Sequence, residues 1–254
     1  IEDAAQAYLA TYRGRYVGTW GDLGAFSLQQ TKAMTCGEGG FVLTSSEPLA
    51  RRARLWADKG WGYDDPAPDH EFLGLNYRMT ELQGAVALAQ LRKLHRMTEQ
   101  RVRMAERLRA ALAGVPGIRP LPTTPNATQV YWKFVLLVDR AELGVGPDRL
   151  GAELKALGVW NAPRYIVKPA FLCRQFQERR TFRDTRFPYS LHPEPPAVER
   201  LDDYPGCRDG LAQVLVLPWT ERYEERHVDY IARQIREAVE RVRKVRVAAA
   251  GVPQ

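Results

Sequence analysis

Phe26-Ser27-Leu28-Gln29-Gln30-Thr31-Lys32-Ala33-Met34-Thr35-Cys36-Gly37-Glu38-Gly39-Gly40 is the stretch whose reading decides the fold. The apolar run from Leu23 to Leu28 predicts a strand that ends in a polar turn carrying one lysine. A glycine cluster follows, and a second strand is predicted from Phe41 to Thr44. A hydroxyl at Ser27 and an amine at Lys32, set on a turn between two strands, suit a site that grips an anion and forms an imine. Lysine captures carbonyls only when its surroundings lower its pKa. Lys32 alone therefore reads as a surface lysine, and its neighbours have to decide.

Working outward, Glu2-Asp3 before Ala4–Leu9 predicts acidic residues opening a short helix. Gly14 and Gly18 mark a turn around Tyr16-Val17, and Gly21-Asp22 leads into the first strand. Downstream, a helix is predicted from about Pro48 to Asp58, capped by Ser46 or Glu47, with proline tolerated in its first turn. Residues 59–75 read as a glycine- and proline-rich loop pinned by Trp61, Tyr63 and Phe72. Thr80-Glu81-Leu82-Gln83 is a capping box that opens the strongest helix. Its apolar stripe runs through Leu82, Val86, Ala89 and Leu94, then less cleanly through Val102, Leu108 and Leu112 to Gly114. Such a helix, about thirty residues by its start and stop signals, could bridge two domains.

Beyond the prolines at 116, 120, 122 and 125, Val130–Val138 alternates like a strand, and a helix is predicted from Pro147-Asp148 to Gly158. Residues 159–210 read as an irregular, ordered, pocket-forming loop, with Trp160, Tyr165, Phe171, Phe176, Phe182, Phe187 and Tyr189 as its aromatics. Val214–Leu217 predicts a short buried strand. A final amphipathic helix is predicted from Tyr223 to about Val245, with a fraying tail from Arg246. Strands alternating with helices give an α/β class, with a domain boundary between residues 95 and 120.

Composition narrows the function classes. The 254 residues are 45% hydrophobic and 26% charged, values of a soluble globular protein. No apolar run approaches the ~20 residues a spanning helix needs, so no membrane partner is expected. Ile1-Glu2-Asp3 lacks the basic start of a signal peptide. Position 1 is not methionine and the chain starts mid-pattern, so the expectation is the later part of a longer protein. Three cysteines (Cys36, Cys173, Cys207) are odd in number and never spaced Cys-x-x-Cys, which favours a reducing cytoplasm over a disulfide framework. His70, His95, His192 and His227 fit no metal spacing, and no metal is expected. The net charge of +7 is spread over arginines mixed with Glu and Asp, without a basic patch interleaved with aromatics. That argues against nucleic acid and leaves attraction of an anionic small molecule.

Asp3 lies 29 positions before Lys32. In a parallel α/β layout both can sit at the same end of adjacent strands, where such sheets bind ligands. Carboxylate, strand-end hydroxyl and turn lysine together suit pyridoxal 5'-phosphate. Lys32 would form the Schiff base, Asp3 would keep the pyridine nitrogen protonated, and Ser27 would donate to the phosphate. Asp3 could instead be a helix cap.

Four ordered motifs carry a resemblance. They are Glu2-Asp3-Ala4-Ala5-Gln6-Ala7, Gly21-Asp22-Leu23-Gly24-Ala25-Phe26-Ser27, Lys32-x-x-Thr35-x-Gly37-Glu38-Gly39-Gly40, and Leu75-Asn76-Tyr77-Arg78-Met79-Thr80-Glu81-Leu82-Gln83. Together they resemble the DegT/DnrJ/StrS-type sugar aminotransferases, which are fold-type I pyridoxal phosphate enzymes. The likeness is strong over residues 1 to about 95 and resumes in Tyr204-Pro205-Gly206-Cys207 and Val216-Leu217-Pro218-Trp219.

The resemblance implies Lys32 as the cofactor-bearing lysine and proton shuttle, and Asp3 on the ring nitrogen. It implies Gln6 near the phenolic oxygen, Ser27 on the phosphate, and Asn76 reaching across a homodimer interface to the partner's phosphate. Arg78 and Tyr165 are expected near substrate. It also implies a partial large cofactor-binding domain (1–95), a linking helix and hinge (96–120), and a small C-terminal α/β domain (121–254).

Lysine rather than histidine at position 32 favours transamination over sugar dehydration. The Phe26–Lys32 form resembles cyclitol (inosose) aminotransferases and amino-hydroxybenzoate synthases more than nucleotide-sugar enzymes, and Arg164 stands near where many members have histidine. The expected activity is transfer of an amino group from glutamine or glutamate to a keto-cyclitol or keto-sugar. A 3-amino-5-hydroxybenzoate synthase-like enzyme, a nucleotide-sugar aminotransferase and a binding protein without turnover stay open as alternatives.

Overall fold

The computed structural model describes residues 1–63, 65–181, 185–191 and 199–250, with residues 245–250 in backbone only. Phe182, His192 and the tail 251–254 lie outside the described residues. The chain packs as two compact units. One comprises Ile1–Arg107, Pro122–Lys133 and Trp219–Val228; the other comprises Leu108–Leu121, Phe134–Pro218 and the chain from Asp229 onward.

The first unit opens with β1 (Glu2–Asp3), a small hairpin of β2 (Thr11–Tyr12) and β3 (Arg15–Tyr16), then β4 (Gly24–Ser27) and β5 (Gly40–Leu43). Its three-stranded sheet has the order β1-β4-β5. β1 runs parallel to β4, pairing Glu2 with Gly24 and Asp3 with Ala25. β5 runs antiparallel to β4, pairing Ser27 with Gly40. The helix expected over Ala4–Leu9 is a series of turns, and Glu2-Asp3 is a strand. The Glu2 carboxylate explains the difference. It accepts from the backbone N–H groups of Gly18 (2.8 Å), Trp20 (2.6 Å) and Gly21 (2.7 Å), so it anchors a distant loop and caps no helix.

Helix α1 (Glu47–Ala57) has Ser46 at its N-cap, but the serine side chain makes no capping bond, so proline in the first turn is the surviving start signal. The loop aromatics pin the loop as expected. Trp56 stacks on Phe72, Trp61 meets Tyr63 and His70 edge-on, and the Tyr63 hydroxyl accepts from Lys59 Nζ at 3.2 Å.

The Thr80–Gln83 capping box is formed. The long helix it predicted is two helices, α2 (Glu81–Leu91) and α3 (Leu94–Ala111). The break contains neither glycine nor proline. It falls where the burial pattern changes: α2 has no buried residue and Leu82 is 81% exposed, whereas Leu94, Met104, Ala105 and Leu108 of α3 are buried.

Arg101 on α3 ties three segments of the first unit together. Its Nη1 donates to the carbonyls of Tyr131 (3.1 Å) and Trp219 (2.7 Å), and its Nη2 pairs with Glu221 at 3.1 Å. Trp219 Nε1 donates back to the Arg101 carbonyl at 2.9 Å.

The second unit holds a four-stranded sheet ordered β6-β7-β9-β8. Its strands are β6 (Ile118–Pro120), β7 (Lys133–Val138), β8 (Ala162–Pro163) and β9 (Val214–Pro218). Burial alternates along β7, with Phe134, Leu136 and Val138 inside, as the period of a strand requires. The helices are α4 (Arg140–Leu143), α5 (Pro147–Ala156), α6 (Arg174–Gln177), α7 (Pro205–Gln213) and α8 (Glu225–Ala250), the last beginning in the first unit. α7 begins inside the stretch expected to be irregular, and α8 runs through residues expected to fray. Trp160, Tyr165, Phe176 and Phe187 are exposed, and Phe171 packs on Tyr204.

Candidate functional site

Residues directly paired across two strands share a face, and so do positions two apart along one strand. Asp3 pairs with Ala25, and Ser27 is two positions further along β4. Asp3, Ala25 and Ser27 therefore line one face, at the C-terminal ends of two neighbouring parallel strands. Ala25 between them projects only a methyl group. Gly24 and Phe26 belong to the opposite face, where Phe26 stacks on Phe41 with centroids 4.9 Å apart. That second face borders an apolar groove of about 580 Å³ whose lining includes Tyr8, Phe26, Leu28, Met34 and Leu88 and omits Asp3, Ser27 and Lys32. The polar chemistry and the apolar groove lie on opposite sides of the sheet.

The turn that carries Lys32 is closed by its own bonds. The Gln29 side-chain oxygen accepts from Thr31 N at 2.8 Å and from its hydroxyl at 2.7 Å, and the Gln29 carbonyl accepts from Lys32 N at 2.9 Å. Further on, Leu28 N–H donates to Gly39 at 2.8 Å and Cys36 N–H to Leu28 at 3.0 Å. Gly39, with φ of 149°, takes a backbone conformation that favours glycine. Tyr8, Leu28, Met34 and Leu94 form a buried cluster under the turn, so the residues flanking Lys32 are anchored while Lys32 itself stays half-buried. The Glu38 carbonyl, in the same turn, accepts from Gln83 Nε2 at 2.8 Å.

The Ser27 hydroxyl oxygen accepts from Gln29 N–H at 3.3 Å, which leaves its own hydrogen to donate. Asp3 Oδ1 accepts from Ala5 N–H at 3.1 Å in a local turn, replacing the helix-cap alternative. Gln6 is exposed on the turn that follows. Asn76 is exposed, bridged to Asp58, and accepts from Arg78 N–H at 3.3 Å. The Arg78 guanidinium is paired with Asp58, whose carboxylate also takes Lys59 Nζ at 2.7 Å. These partners, Lys59 first, hold the Asp58 carboxyl below its ordinary pKa. Tyr165 belongs to the second unit, next to Arg164, which pairs with Asp148 at 2.9 Å.

Two residues at the lysine turn had no signal in the pattern. Trp132 Nε1 donates to the Thr31 carbonyl at 2.8 Å, and Lys32 Nζ lies 4.5 Å from the Trp132 ring centroid. Lys133 Nζ sits 4.5 Å from the same ring. Burial first, and then the Lys32 charge, pulls the Lys133 pKa below its ordinary value.

The profile of the DegT/DnrJ/EryC1/StrS aminotransferase family matches residues 1–198. An L-glutamine:2-deoxy-scyllo-inosose aminotransferase of Streptoalloteichus tenebrarius is 40% identical over 177 residues, covering 65% of this chain and 42% of that protein. The protein of the same description from Streptomyces kanamyceticus is also 40% identical over 177 residues, covering 65% and 41%. The crystal structure of S. venezuelae DesV in complex with a ketimine intermediate superposes with a TM-score of 0.73 at 28% identity, over 93% of this chain and 57% of that one. The chain thus spans about two fifths of the length of those curated relatives. The expected mixed α/β, fold-type I architecture is met. The matched profile, the shared fold and the ordered motifs place the chain in the DegT/DnrJ/EryC1/StrS aminotransferase family.

Proposed function

We propose that this chain carries the lysine side of a pyridoxal 5'-phosphate site and serves transfer of an amino group from glutamine or glutamate to a keto-cyclitol of the scyllo-inosose kind. The carrying observation is the common face of Asp3 and Ser27 at the ends of paired strands, with Lys32 on the turn that follows. The glutamine:inosose activity named for relatives at 40% identity supports the choice of donor and acceptor.

The donor set fits the coenzyme. A carboxylate suits a protonated ring nitrogen, a hydroxyl with a hydrogen to give suits a phosphate oxygen, and a half-buried amine suits the aldehyde carbon. The methyl of Ala25 leaves the face between them open to a flat ring. When bound, the coenzyme supplies an electron sink for charge developing beside the migrating nitrogen. Asp3 would hold the ring nitrogen's proton, Ser27 would bind the phosphate, and Gln6 would donate towards the phenolic oxygen. Lys32 would anchor the coenzyme, and its amine would serve as the proton shuttle of the site.

Asn76, exposed in one chain, would reach the partner's phosphate in a homodimer with a shared site, with Arg78 and Tyr165 toward substrate. The division into 1–95, 96–120 and 121–254 belongs to the same proposal. The three free cysteines are consistent with the cytoplasm. No helix among the described residues is long and apolar enough to cross a membrane.

Incubation with pyridoxal 5'-phosphate, borohydride reduction and peptide mapping test this. The expected adduct is on Lys32 and absent in Lys32→Ala. Glutamine with 2-deoxy-scyllo-inosose should then give an aminated cyclitol by mass spectrometry. An adduct confined to other lysines, or none, would overturn the assignment.

A further inference from the structure

Trp132 touches the lysine turn at two points of different kinds. The indole N–H is bonded to the carbonyl of Thr31, the residue just before Lys32, at 2.8 Å. The ring face receives the Lys32 ammonium 4.5 Å from its centroid. The hydrogen bond fixes the ring relative to the turn. The ring's negative face then offers the cation one preferred place. A lysine stem of four carbons samples many rotamers unless something holds its head group. The neighbouring Lys133 brings a second ammonium 4.5 Å from the same centroid, so one indole organises two cations.

Resting on the reading of Lys32 given above, we infer that Trp132 is a positioning residue for Lys32, parking the amine over the indole so that it is presented to the coenzyme from one place. The ring acts through Lys32 and takes no part in proton transfer. Burial, and then repulsion by the Lys32 charge, lowers the pKa of the neighbouring Lys133.

The test uses the full chain without coenzyme first. Lysines are reductively methylated with 13C-formaldehyde, and the Lys32 signal is identified by its absence in Lys32→Ala. The expected wild-type signal is displaced upfield by the Trp132 ring current and returns to the position of exposed Lys93 in Trp132→Leu. Competitive acylation should show Lys32 reactivity rising about threefold to tenfold relative to Lys93 in Trp132→Leu, the span expected for loss of a partly shielded cation–π contact. Trp132→Phe keeps a ring and removes the N–H, and should fall between the two. It also decides the matter if Trp132→Leu loses its native circular dichroism.

The coenzyme arm then compares rates of the borohydride-trapped adduct at Lys32, expected to be several-fold lower relative to the acylation rate in folded Trp132→Leu, because an oriented reaction loses its positioning while an unoriented reagent gains a freed amine. An unchanged Lys32 signal and reactivity in folded Trp132→Leu, or a Trp132→Phe equal to wild type in both, would overturn the inference. Persistence of the adduct in Lys32→Ala would instead sink the reading of Lys32, and the ring-current result would still stand as a measured contact.

Discussion

The phenol of Tyr8 donates to the carbonyl of Ser27 at 2.7 Å, joining the turn after β1 to the last residue of β4. Tyr8 is 4% exposed and packs its ring near Phe26 and Phe41, at 5.4 and 6.2 Å between centroids. Removing the hydroxyl leaves a partly buried carbonyl without its donor. Tyr8→Phe should therefore cost about 1 kcal/mol by chemical denaturation, and, on the role proposed for Ser27, should weaken retention of coenzyme phosphate. Burial, aided by the charge of Cys36, pushes the Tyr8 phenol from 10.0 up to about 12. A raised folded value means that the contribution is complete below pH 10 and fades as pH rises through about 12. The stability gap between wild type and Tyr8→Phe should close over that alkaline window.

Glu2 carries the opposite sign. Its pKa lies below the ordinary 4.5, chiefly through the Gly21 N–H, with the N–H groups of Gly18 and Trp20 and the charge of Arg15 adding to it against some desolvation. A lowered folded value gives stability that is present above pH 4.5 and lost as acid carries the solution down through the folded value. Glu2→Gln should cost about 1–3 kcal/mol at pH 7, by loss of charge-assisted bonds. The difference from wild type should shrink in acid melts below pH 4.5.

Gly24 has no room for a side chain. A Cβ there would stand 2.0 Å from the Gly18 carbonyl oxygen, a backbone atom that can yield only if the loop moves. Gly24→Ala should destabilise by about 1–3 kcal/mol or more, the range for overpacked sites. The displaced loop should also lose its Glu2 anchor, so Gly24→Ala and Glu2→Gln should combine less than additively in a double-mutant cycle.

Arg101 is 5% exposed, and burial pulls its pKa down against the pull of Glu221. Arg101→Ala removes the donors to two buried carbonyls and leaves Glu221 unpaired, at an expected cost of about 3–5 kcal/mol. Arg101→Lys restores the charge without the planar fork and should recover only part of that loss in thermal unfolding.

Much of the fold was legible because its signals are local. The alternation of Lys133–Val138, the Thr80–Gln83 box and the proline-started α5 each need only neighbouring residues, and each stands in the structure. The strand ending at Ser27 and the turn carrying Lys32 were legible for the same reason. Glu2-Asp3 was not legible as a strand, since two residues carry no period and their partner is more than twenty positions away. α7 was hidden because Pro205, Gly206 and Gly210 read as breakers, although proline at the first helical position starts a helix. The break between α2 and α3 was masked by a continuous run of good helix formers. Trp132 was out of reach altogether: it meets Thr31 across 101 positions, and only the folded chain brings the indole to the turn.

The chain leaves and re-enters its first unit, passing between the two units five times. A chimera with a relative, made by one crossover anywhere from residue 33 to 131, takes Lys32 from one parent and Trp132 from the other. A faithful graft of the unit needs three inserts, 1–107, 122–133 and 219–228, exchanged together. Gene shuffling with single junctions should therefore yield hybrids in which the lysine turn has lost its matched indole.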